Sequence, residues 1–155
     1  MRITAVRANN HKHVFEVDSP KGTLSFPYAR CEPAPTPENP VRNLFVDPEL
    51  GEQGFSYELA SGDEGCVLLD QVLDQNADPE YVRDMLLHRL SVEAQRRVAA
   101  SPLAKREIIR RLGTSAAQFY RLLDQTNYRK SLDAMFALLT VLGCEVDVVL
   151  RERSA

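Results

Sequence analysis

Residues 105–123, KREIIRRLGTSAAQFYRLL, constrain the fold more tightly than any other stretch of the chain. Ala104, Ile108 and Leu112 recur four apart with Ile109 beside them, which predicts a short helix with one apolar face. Gly113 follows at once, suited to the left-handed backbone that closes many helices. Ser115 to Gln118 fits a capping box, so a second helix is expected to start there. Phe119, Leu122 and Leu123 give that helix its own apolar stripe. Two short helices joined by a tight glycine turn make a helix-turn-helix arrangement.

The outward face of the second helix suggests chemistry. At roughly 100° per residue, Ala117 and Arg121 point away from the apolar stripe, with Gln118 and Tyr120 on the flanks. Arg and Gln can pair with base edges in a major groove, and a small Ala can meet a thymine methyl. Lys105, Arg106, Arg110 and Arg111 on the first helix suit phosphates, which position a protein without reading sequence. The plainer alternative is an ordinary helical hairpin with a solvated basic face. Charge favours the nucleic-acid reading. Residues 1–79 hold 6 Lys/Arg against 13 Asp/Glu, a net of −7, whereas residues 96–130 hold 9 against 2, a net of +7. The chain's overall −3 hides this split, and binding depends on the local patch.

On these residues the segment resembles the helix-turn-helix of the phage repressor/Cro-like (XRE) family. The likeness covers about the last half of the chain. The family's turn glycine matches Gly113, its apolar turn-flanking positions match Ile108 and Phe119, and its later apolar position matches Leu122. Its usual small residue falls on Ile109, a departure. The resemblance implies base-reading positions at Thr114, Ala116, Ala117, Gln118 and Arg121. Phosphate contacts are expected from Lys105, Arg106, Arg110, Arg111, Ser115 and Tyr120. The polar loop 124–130 is expected to add Asn127, Arg129 and Lys130, with the plain surface loop as its alternative.

The rest of the chain frames this segment. Residues 3–6, 13–17 and 23–26 alternate apolar and polar, with a hairpin connection at 19–22. Four prolines in residues 31–40 exclude helix and central strand, so an exposed loop is expected. Strand signals return at 43–46, 54–60 and 66–69, with SGDEG as the turn between the last two. One small, mostly antiparallel sheet is expected, loosely like β modules that precede helix-turn-helix domains in bacterial proteins. Asp78 is read as an N-cap and Pro79 as the first residue of an amphipathic helix. Ser91 is read as the cap of a second helix that ends before Pro102. Ser131 should cap a last helix with a core stripe of Leu132, Met135, Phe136, Leu139 and Leu142. Residues 145–148 alternate as a strand, able to join the sheet or to pair across a dimer.

The fold class expected is therefore α+β: a β-rich module over 1–78 with its proline-rich loop, then an all-α helix-turn-helix domain over 79–155 with a short C-terminal strand. The function expected is sequence-specific binding of double-stranded DNA by a homodimeric transcriptional regulator. An antitoxin-like autorepressor is one version that the resemblance allows. The N-terminal module would sense, dimerise or bind a protein partner. The alternative is a protein-interaction module with a degenerate helix-turn-helix, favoured by the two alanines among the base-facing positions. No catalytic residue, metal or cofactor is expected. His11 and His13 share one side of a predicted strand without further ligands, and no serine sits in a nucleophile elbow. Cys31, Cys66 and Cys144 form neither a disulfide framework nor a zinc signature. No apolar run approaches the roughly 20 residues that cross a bilayer, and no signal-peptide core appears, so the cytoplasm is the expected location.

Overall fold

The computed structural model describes residues 1–153. Among them the chain is mixed α+β, with two three-stranded antiparallel sheets and five α-helices. Two compact units divide it, Met1–Val82 and Arg83–Ala155.

In the first unit β1 (Ala5–Asn9), β2 (Val14–Ser19) and β3 (Gly22–Pro27) form one sheet in chain order. Ser19 pairs with Gly22, so the hairpin turns on Pro20 and Lys21 alone. Gly22, the residue just after this turn, takes a φ of 98°, which glycine adopts without strain. β4 (Val41–Val46), β5 (Gly54–Leu59) and β6 (Glu64–Leu68) form the second sheet. The expected single sheet is thus two. The proline-rich stretch between β3 and β4 lacks the donors to continue a ladder, and the strands after it pair only with one another. That stretch is not wholly a surface loop, since Cys31 and Pro35 are buried.

Period-two alternation sends the inner residues of both sheets into one core. Phe15 is its hub, with ring centroids 4.9 Å from Tyr28, 4.9 Å from Phe55 and 5.2 Å from Tyr57. Tyr57 donates its hydroxyl to the Pro33 carbonyl at 2.7 Å, which meets the need of a buried phenol. Its cross-strand partner is Gly65, where a Cβ would stand 2.4 Å from the Tyr57 oxygen, so only glycine leaves the ring its place. Helix α1 (Leu69–Gln75) follows β6 directly and adds Leu69, Val72 and Leu73 to this core. Burial pushes the Cys31 thiol up to about 11, so it stays protonated.

Helix α2 (Pro79–Ala100) begins as expected at Pro79 behind Asp78, whose carboxylate accepts from the Tyr81 amide at 2.9 Å. It then runs unbroken for 22 residues, about 33 Å. The expected break at Ser91 does not occur. Ser91 is fully buried and donates its hydroxyl to the Leu87 carbonyl at 2.6 Å. A serine bonded one turn back needs no helix end. The buried face of α2 is Leu87, Ser91, Ala94 and Val98, while Val82 and Leu86 are partly exposed.

Helices α3 (Lys105–Leu112), α4 (Ala116–Leu123) and α5 (Leu132–Val141) complete the second unit. Its core joins Leu87, Ala94 and Val98 to Ile108, Phe119, Leu122, Met135, Leu138 and Leu139. Ser131 caps α5 by accepting from the Ala134 amide at 3.1 Å. The buried positions 135, 138 and 139 follow one helical face, which leaves Phe136, expected in the core, 37% exposed. The strand expected over 145–148 does not form: among the described residues no neighbouring strand offers it a ladder.

Candidate nucleic-acid interface

Gly113 closes α3 with φ 73° and ψ 32°, and its amide donates to the Ile109 and Arg110 carbonyls. A Cβ there would meet nothing within 4 Å, so glycine is required by backbone conformation rather than by space. Ser115 has extended geometry and accepts from the Gln118 amide at 3.1 Å, which starts α4. Ile108, Phe119 and Leu122 are buried, and Ile109, Leu112 and Leu123 half-buried, so the apolar register read from the sequence fixes how both helices face the core.

The C-terminus of α4 is closed with unusual completeness. Its last four carbonyls lack partners within the helix. Tyr120 receives the Asp124 amide at 3.1 Å, and Arg121 receives the Asn127 side-chain amide at 3.2 Å. Leu122 receives the Lys130 ammonium at 2.8 Å, and Leu123 receives the Gln95 side-chain amide at 2.5 Å. This corrects two expected phosphate contacts. Lys130 is only 9% exposed, and its Nζ also donates to Ser91 Oγ and, at 2.7 Å, to the Asp124 carbonyl. A cation at a helix C-terminus opposes the negative end of the dipole, so the ammonium turns inward. Burial pulls the Lys130 pKa down, and the nearby Asp124 charge works against that shift. Asn127 is committed likewise, accepting from the Arg129 amide at 3.1 Å. The loop 124–130 serves first as the cap of α4, and of the three residues expected to reach out from it only Arg129 remains exposed with no side-chain partner among the described residues.

The outward residues lie where the periodicity put them. Ala116, Ala117 and Arg121 are exposed, Thr114 and Gln118 half-buried, and neither Gln118 nor Arg121 has a side-chain hydrogen bond among the described residues. Tyr120 is 52% exposed, packs edge-on against Phe119, and has Lys105 Nζ 5.9 Å from its ring centroid. Arg106 is exposed and unpaired among the described residues. Arg110 and Arg111 differ. Glu107 accepts from Arg110 Nε at 2.9 Å and Nη2 at 2.5 Å, and from Arg111 Nε at 2.9 Å. These bonds hold the Glu107 carboxyl at about 2. Glu93 on α2 binds Arg96 and Arg97 in the same spacing and is also held at about 2. The i+3 and i+4 spacing of both glutamates was legible in the sequence. The reach of Gln95 to α4 was not, because nothing local signals it.

Other candidates carry less. His11 and His13 sit in the turn between β1 and β2 rather than on a strand, with His13 at φ 56° beside the Tyr28 ring. No group of three or more His, Cys, Asp or Glu among the described residues could hold a metal ion. A hollow of about 470 Å³ on the outer side of the second sheet is lined by Phe45, Asp47, Glu49, Glu58, Glu64 and Cys66, a largely acidic wall. Among the described residues no helix is long and apolar enough to cross a membrane. No family model, curated protein or solved structure matches this chain.

Proposed function

We propose that this protein binds double-stranded DNA through a helix-turn-helix formed by α3 and α4, in the manner of the phage repressor/Cro-like family that the segment resembles. One observation carries the reading. An eight-residue helix capped at both ends presents Ala117, Gln118 and Arg121 outward, flanked by the unpaired cations Lys105 and Arg106. Such a helix can lie in a major groove with Arg121 on guanine and Gln118 on adenine. Lys105, Arg106 and Arg129, with Ser115 and Tyr120, then meet the backbone. Arg110 and Arg111 join them only by exchanging Glu107 for phosphate. That exchange is accessible because exposed ion pairs are worth about 0–1 kcal/mol.

In this reading the protein works as a homodimer whose two copies of α4 reach half-sites about 34 Å apart, and it regulates transcription in the cytoplasm. Selection of duplexes from a fragmented genomic library by the purified chain, followed by affinity measurements across salt concentrations, tests it. A sequence-dependent enrichment with a steep salt dependence supports the reading. Absence of both at low salt rejects it. A protein-interaction role for the same face is the second reading, favoured by Glu107 already occupying two arginines and by the exposed Ala116 and Ala117.

A further inference from the structure

The segment after α5 carries an unused strand pattern. Val148, Val149 and Leu150 are 80%, 75% and 89% exposed, and Val146 is 42% exposed. Among the described residues none from 145 to 150 has a backbone hydrogen-bond partner. An exposed apolar stretch with free backbone groups is a template for pairing with another chain. In extended form Val146, Val148 and Leu150 share one face, and Glu145, Asp147, Val149 and Arg151 share the other.

The order of charge on that second face selects the partner. Acids come first and the base follows. Stacked parallel and in register, two copies would set Asp147 on Asp147 and Arg151 on Arg151. Run antiparallel and centred on Val149, they set each Asp147 opposite the partner's Arg151 and each Val148 opposite the partner's Leu150. We propose that residues 147–151 form an antiparallel two-stranded ribbon with the same residues of a second copy of this chain. The contact is isologous, as a two-fold dimer requires. A two-stranded ribbon is marginal alone, so its apolar side needs a cover, and Phe136 on α5 is the exposed ring nearest along the chain. The ribbon supplies the second copy that the DNA-binding reading calls for. Its test involves no DNA, so the two fail separately.

The mass of the full-length chain in solution, by sedimentation or light scattering over a range of concentrations, gives the test. The wild type is expected to dimerise. Asp147→Arg and Arg151→Asp each place like charges opposite twice per dimer and should weaken self-association at least about tenfold, with circular dichroism unchanged. An equimolar mixture of the two variants should recover the dimer, because each introduced charge then faces its opposite. A monomeric wild type, single variants that dimerise as tightly as wild type, or a mixture that stays monomeric would each overturn the proposal. The first of these outcomes includes the case in which the segment pairs with a sheet edge elsewhere.

Discussion

In the first unit Arg2, Arg7, Lys21 and Arg42 each lie against a carboxylate: Glu52, Asp18 with Glu16, Asp78 with Glu80, and Glu58. In the second, Lys105, Arg106, Arg121 and Arg129 lie against none among the described residues. Both units are folded and both carry buried apolar cores, so the contrast does not come from foldedness. It comes from where the carboxylates are. The first unit has an excess of them and satisfies most of its cations internally, leaving an acidic exterior. The second concentrates unpaired cations on α3, α4 and the loop after them, around a helix capped at both ends. Unpaired charge on a rigid element is what an anionic partner meets without first displacing a competitor.

Other cations of the second unit, Arg96, Arg97, Arg110 and Arg111, are held by exposed glutamates, but Lys130 is satisfied inside by carbonyls, and its removal should have the largest effect. Lys130→Met leaves the Leu122 and Asp124 carbonyls without their donor and should cost about 1–3 kcal/mol in a denaturant melt. An unchanged melt would return Lys130 to the exposed cations and redraw the contrast. Gly113→Val should come next, at about 1–2 kcal/mol, since a β-branched residue is strained at φ 73° even where its side chain meets nothing. A smaller cost would mean that the turn relaxes and that the spacing of α3 and α4 is not fixed by Gly113.

The apolar register of these two helices, the glycine turn and the caps at Ser115 and Ser131 were legible because each is a local rule acting within a few residues. The division into two sheets was not, because whether strands distant in the chain pair, which here they do not, leaves no mark on either one. Ser91 misled for a related reason: a serine before an apolar run reads as a cap, and only the tertiary contact with Lys130 reveals it as buried. Lys130 and Asn127 look like surface loop residues in sequence. Their roles depend on carbonyls of α4 that the fold brings to them.

The glutamate triads sharpen the comparison from within the second unit. Glu107→Gln releases Arg110 and Arg111 and removes one negative charge, so affinity for duplex DNA of any sequence should rise and the salt slope should steepen by up to about two units. Glu93→Gln releases Arg96 and Arg97 on α2, which is not one of the two proposed interface helices, and should change both far less. Equal effects would mean that net charge alone governs binding. Acid gives the smallest effect. Both carboxyls are held at about 2 against an ordinary 4.5, so their contribution is complete above the ordinary value and is lost as pH falls through about 2. Circular dichroism should show wild type losing slightly more stability over that interval than the double variant Glu93→Gln with Glu107→Gln. A steeper loss in the double variant would contradict the assignment.

The central claim is that α4 reads bases while its neighbours hold the backbone, and the ratio of specific to non-specific affinity measures it most directly. Equilibrium binding of wild type and Arg121→Ala to the selected duplex and to a scrambled one, at one salt concentration, gives that ratio. Arg121 takes no part in the core, so the melting temperature should stay nearly constant. Affinity for the selected duplex should fall by about 1–3 kcal/mol, with much less change on the scrambled one. A ratio preserved in both Arg121→Ala and Gln118→Ala would contradict base reading by this helix.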